Sequence, residues 1–181
     1  KKPGLNTVSY NAIGNVIIED SLRTATCGLA IYNYTTEETQ LEIKPKIIDD
    51  KRALYGKKII MRYEQKKLKN IYIPQNAQAS TITEGYKRTK DDTTQIELKS
   101  EFNDDMTSTS LEGFFDDGIL DSLRLSGMAT TVYHLFEDSL YKGKNVTSGD
   151  TIIMNFKEKE LNNIIVNGGS QGKYTPDSLT N

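Results

Sequence analysis

Residues 56–79, GKKIIMRYEQKKLKNIYIPQNAQA, align without a gap on residues 149–172, GDTIIMNFKEKELNNIIVNGGSQG, and nine of the 24 positions are identical. The identical pairs include Gly56 with Gly149, Ile59 with Ile152, Met61 with Met154, Leu68 with Leu161 and Ile71 with Ile164. A more divergent third copy lies between them at 110–129, where Phe115, Leu120, Leu123 and Leu125 fall on Tyr63, Leu68, Ile71 and Ile73. A repeated unit of this size cannot bury its own apolar surface alone; it builds a core by stacking against its copies. Each copy reads as a β-hairpin with a return strand, because short runs of Ile, Tyr and Phe are broken by polar turn residues.

In the middle copy Asp116-Asp117-Gly118 predicts a three-residue turn with Gly in the left-handed position. Closing it places Phe115 opposite Ile119 and Leu111 opposite Leu123. The same turn length in the other copies places Ile59 opposite Ile71 and Ile152 opposite Ile164. Side chains alternate between the faces of a strand. Ile59, Met61, Tyr63, Ile71 and Ile73 therefore share one surface, as do Ile152, Met154, Phe156, Ile164 and Val166, with Leu123 and Leu125 at matching positions. Lys58, Arg62, Lys69, Thr151, Asn155 and Asn163 share the opposite, wet surface. In this register Ile60, Ile153, Leu68, Leu120 and Leu161 point to the polar side.

The rest of the chain carries the same signal, and no stretch has the 3.6-residue apolar period of an amphipathic helix. Short strands run from Thr7 to Val166, with Tyr86–Asp92 and the tail after Tyr174 expected as exposed loop and fraying terminus. The expected fold class is all-β, a single domain over 1–181. With only 36% hydrophobic residues in 181 and a mean hydropathy of -0.56, the chain suits an elongated shape better than a compact globule.

Composition also excludes chemistry. One cysteine, Cys27, and one histidine, His134, rule out a disulfide framework and any site that needs two imidazoles. His134 has no partner of catalytic type nearby in the sequence, the Asp-Asp pairs at 49–50, 91–92, 104–105 and 116–117 are turn residues, and Gly168-Gly169-Ser170 precedes no helix. The expectation is a non-enzyme without metal or cofactor. Residues 1–90 hold 16 Lys and Arg against 9 Asp and Glu, whereas 91–181 hold 7 against 16. That dipole favours head-to-tail association or an anionic ligand at the basic end, and the overall acidity disfavours nucleic acid.

Apolar faces stacked on one another make either a core filled by side chains or a trough that holds an apolar ligand, and alternation alone does not separate the two. Further motifs accompany the hairpins: Ile13-Gly14-Asn15-Val16-Ile17-Ile18, then Ala30-Ile31-Tyr32-Asn33-Tyr34, Leu41, Pro45, Leu54-Tyr55-Gly56 and Gly127-Met128-Ala129. In that order they resemble the OstA-like family of periplasmic lipopolysaccharide-transport proteins, over most of Val8 to Tyr174. Gln75-Asn76-Ala77 and Gly168-Gly169-Ser170 keep only part of the family's Gly-x-Ala strand start.

The resemblance implies an elongated antiparallel β-jelly roll built from repeated hairpins and open at its ends. It also implies binding and transport of lipopolysaccharide or another acylated glycolipid toward the outer membrane. The implied location is the periplasm, free or attached to the outer membrane, with other jelly-roll transport proteins or further copies of the chain joined through edge strands. On this reading the acyl chains lie against Ile59, Met61, Tyr63, Ile71, Ile73, Leu123, Leu125, Ile152, Met154, Phe156, Ile164 and Val166, and Lys57, Lys58 and Arg62 meet the headgroup. The same lysines serve equally as protection of an exposed sheet edge. The competing reading is a structural or adhesive β-repeat protein with a filled core that binds protein partners.

Overall fold

A computed structural model describes residues 8–91, 94–158 and 160–178. The described chain is all strand and turn, with no helix. In chain order the strands are β1 Ser9–Glu19, β2 Arg23–Asn33, β3 Glu38–Glu42, β4 Lys46–Asp49, β5 Arg52–Tyr55, β6 Lys58–Glu64 and β7 Lys67–Ile73. They continue as β8 Ala77–Asp91, β9 Thr94–Ser108, β10 Ser110–Asp116, β11 Ile119–Glu137, β12 Leu140–Lys157, β13 Glu160–Asn167 and β14 Gln171–Pro176. Together they form one mixed sheet of 14 strands. Its ladders are antiparallel apart from a single parallel bridge between Leu140 and Tyr86.

Three long strands divide this sheet into two facing halves. Along β2, Arg23–Thr26 pair with β4 and Leu29–Asn33 pair with β3. Along β11, Ser122–Ser126 and their neighbours pair with β10, and Thr130–Val132 pair with β9. Along β12, Thr151–Lys157 pair with β13 and Gly143–Ser148 pair with β14. One half-sheet is thus built on β3, β6, β7, β10 and β13, the other on β4, β5, β8, β9 and β14. Because β10 also pairs with β11, the strand order closes into a circuit.

The crossings from one half to the other are marked by glycine for a steric reason. A β-carbon on Gly28 would collide with Ile43, on Gly56 with Ile73 and on Gly149 with Val166. At these crossings Gly28 N donates to Ile43 O (2.9 Å), Lys57 N to Gln75 O (3.2 Å) and Asp150 N to Gly168 O (2.8 Å). The glycines that open the two aligned segments, Gly56 and Gly149, therefore sit where the chain turns the corner between the half-sheets.

The hairpins of the three similar segments share one register, and it corrects the expected one. Each closes on two residues rather than three: Gln65-Lys66 and Asp117-Gly118 have φ of 51° and 65°, and 46° and 80°, the mirror-image turn that suits twisted strands. One step in from each turn the ladder skips a residue, between Arg62 and Tyr63, Phe114 and Phe115, and Asn155 and Phe156. Ile71 consequently faces Met61 and not Ile59, Leu111 faces Leu125 and not Leu123, Phe115 faces Leu120 and not Ile119, and Ile164 faces Met154 and not Ile152. The body of each hairpin is displaced by two residues, which leaves the faces unchanged. Beyond the bulge the displacement is one, and this turns Leu68, Leu120 and Leu161 inward, where Leu68 is buried and the other two pack on the core.

Two loop expectations are also corrected. Tyr86–Asp91 continue β8, paired with β9 from Tyr86↔Lys99 to Asp91↔Thr94, so the segment is a strand on which Tyr86 and Lys87 stand exposed and not a loop; Asp92 lies outside the described residues. The segment after Tyr174 stays in register with β12 as far as Pro176↔Gly143, and Asp177 beyond it is buried.

Candidate functional site

The inner faces of the two half-sheets make one continuous core. On the first half the alternation places Leu41, Ile59, Met61, Leu68, Ile71, Ile73, Leu111, Phe115, Leu123, Leu125, Ile152 and Met154 inward, all buried. Each such aliphatic side chain withdrawn from water contributes about 1.5–3 kcal/mol. Tyr63, Phe156, Ile164 and Val166 are half-buried against the same cluster. The twelve apolar residues singled out in the sequence are thus gathered in one place.

The facing wall is built differently, and the sequence did not mark its residues as core. Ala25, Ala77, Ala79 and Ala129 are buried there beside Ile47, Leu54 and Met106. A bulky wall meets a wall of methyl groups. The available signal was the spacing Ala77-x-Ala79, the alternation of a strand with one small face.

Along the side where the hairpin tips lie, the two walls part. A groove of about 480 Å³ opens between the β4–β5 turn, β8 and β9 on one lip and β12 and β13 on the other. Its floor is Met106, Met154, Phe156 and Leu161, and its rim carries Asp50, Lys51, Arg52, Thr81 and Asp104. Inward of it, sharing Arg52, Thr81, Met106 and Phe156, is a narrow cavity of about 50 Å³ bounded by Ile47, Leu54, Ala79, Ile71, Phe115 and Leu123.

The charges around this seam are mutually satisfied. The Glu84 carboxylate lies between Lys51 Nζ (2.8 Å) and Lys99 Nζ (2.7 Å), and these two hydrogen bonds pull its pKa down to about 2. Lys67 Nζ donates to Asp117 Oδ1 (2.5 Å), which raises the lysine and lowers the aspartate. Asp49 stands between Arg52 (3.4 Å) and Arg23 (3.3 Å).

At the rim, Asp104 has a different task. β11 leaves β9 after Val132↔Asp105, so the His134 amide loses its strand partner. Asp104 Oδ1 accepts from that amide at 2.8 Å and lies 2.7 Å from His134 Nδ1. Burial pushes the Asp104 carboxyl above its ordinary value. The ring of His134 packs with Phe102 (centroids 5.4 Å apart) and Tyr141 (5.7 Å), and Phe102 packs in turn with Tyr141 (4.7 Å) and Phe136 (5.1 Å). His134 is a wedge-filling residue with its hydrogen bond met. Cys27 is buried, which raises its thiol.

The residues expected at a headgroup are not brought together at the groove. Lys58 and Arg62 project from the outer face of β6, where Lys58 Nζ meets Glu42 (3.1 Å) and Arg62 Nε meets Glu38 (3.2 Å). Lys57 is exposed at the crossing that follows Gly56.

The outermost strands are β1 at one end and β13 and β14 at the other. Among the described residues nothing pairs with their outer edges. β1 exposes Tyr10, Ile13 and Ile17, with Ile13 83% accessible.

No family model matches the chain, and no curated protein shows significant similarity to it.

Proposed function

We propose that the chain binds an acylated glycolipid of the lipopolysaccharide type between its two half-sheets and passes it along a periplasmic route toward the outer membrane. The finer fold reading belongs to the same proposal: a β-jelly roll of repeated hairpins, open at its ends. It is supported by strands that pass between two facing walls and by the common turn and bulge of three hairpins. The observation that carries the function is the apolar-floored groove of about 480 Å³ leading into a core of aliphatic side chains. Acyl chains held only by burial, at ~0.8 kcal/mol per methylene, are retained without directional bonds and can slide. The uncovered edges of β1, β13 and β14 suit partners of the same architecture, or further copies, joined strand to strand.

The test is mass spectrometry of lipid that co-purifies from Gram-negative membranes, together with Met61→Asp and Met154→Asp. Bound acylated species in the wild type, lost in folded variants, are the expected outcome. A lipid-free wild type counts against the proposal.

One observation favours a second reading, a β-repeat protein with a filled core and only protein partners. The narrow cavity between the walls holds only about 50 Å³, whereas an apolar cavity of about 150 Å³ takes up a benzene ring. Under that reading no lipid is bound and partners dock on the strand edges alone.

A further inference from the structure

Arg23 is the first residue of β2, on the alanine-rich half-sheet, yet its guanidinium reaches the other half. Its Nη2 donates to the carbonyl of Gly118 at the tip of the β10–β11 hairpin, 95 positions away. The side chain is only 5% exposed, lies over the Phe115 ring at 4.9 Å, and is flanked by Asp49 (3.3 Å) and Asp20 (3.6 Å). It also bounds the narrow cavity. The attachment is incomplete: Nε has no hydrogen-bond partner, although Asp49 Oδ2 is near. Asp20 and Asp49 keep 49% and 23% of their side-chain surface in water, so both stay solvated when the arginine departs.

The proposal rests on the lipid-binding reading above. The narrow cavity has room for about 50 Å³, too little for a chain of methylenes, so the half-sheets must separate there before one passes inward from the groove. The bond from Arg23 to Gly118 ties the two half-sheets beside that cavity. We infer that Arg23 is the clasp of the seam, closing the interior when it is empty and releasing Gly118 when an acyl chain enters.

Substituting Arg23→Met keeps the length and apolar stem and removes the bond; Arg23→Lys keeps the charge without the forked donor. Binding of the single-chain probe cis-parinaric acid is followed by fluorescence. In parallel, spin labels at Lys51→Cys and Glu64→Cys, in a Cys27→Ala background, report the distance between the half-sheets. Losing a charge-assisted hydrogen bond that opposes opening predicts about tenfold faster uptake by Arg23→Met, with Arg23→Lys between it and the wild type. That distance is expected to lengthen in Arg23→Met without probe, and in the wild type only on saturation with it. Probe bound at the same rate by all three proteins, with unchanged distances, overturns the clasp and leaves lipid binding standing. Probe bound by none of them overturns the lipid reading and the clasp with it.

Discussion

Gly56 lies against Ile73 so closely that a β-carbon on it would overlap the Ile73 γ-methyl, and Gly149 stands in the same relation to Val166. Neither glycine has a positive φ, so the constraint is space and not backbone conformation. Gly56→Ala and Gly149→Ala are each expected to cost about 1–3 kcal/mol through overpacking. In a denaturant-melting cycle, the double variant Gly56→Ala/Ile73→Ala should lose less than the sum of its single changes, since the second substitution removes the obstructing methyl. Strict additivity would refute the contact.

The bulge one step from each hairpin turn can be tested by stability as well. Leu68 is buried whereas Ile60 is half-exposed on the outer face. Leu68→Ala should cost about 2–5 kcal/mol, and Ile60→Thr, outside the core, no more than about 1 kcal/mol. An unbulged ladder would leave both on the outer face and make the two costs alike. Urea midpoints at constant m-value decide it.

These two comparisons also show what the residues disclosed on their own. The inward set on β6, β7, β12 and β13 was legible because period-two alternation survives a register error of two. The bulge was not legible: it is a missing rung between backbones, and Leu68, Leu120 and Leu161 betray it only by being apolar where the straight ladder made them polar-facing. The second wall was harder still, since Ala77 and Ala79 carry little hydrophobic signal and gain their meaning from what faces them. Arg23 reads as an ordinary charged residue at a strand start, because nothing local announces a partner at Gly118.

The carboxylate of Glu84 should titrate at about 2, followed by carbon NMR of the side chain. Its folded value lies below the ordinary 4.5, so the contribution to stability is present above pH 4.5 and fades as pH falls toward 2. Lys51→Met removes the larger cause and should return the midpoint toward 4.5. Because the group is exposed, added salt should shrink the shift.

At Asp104 the expected contrast is between two substitutions. Asp104→Ala leaves the His134 amide without its acceptor beside a buried wedge of aromatic rings, and should cost about 1–3 kcal/mol. Asp104→Asn keeps an oxygen in place and should cost less. Wild type and Asp104→Asn should differ with pH in a set direction: burial raises the carboxyl, so the wild type loses stability relative to the amide as pH climbs from the ordinary aspartate range through that raised value. A gap between the two that is constant with pH would exclude a titrating Asp104.

Since β2, β11 and β12 each serve both half-sheets, neither half has a border at which it can detach. Peeling the alanine wall away strips rungs from strands that also carry the bulky wall, so damage at one tip is felt across the molecule. Cooperative melting in a single transition follows, with the slowest-exchanging amides clustered where those three strands turn the corner.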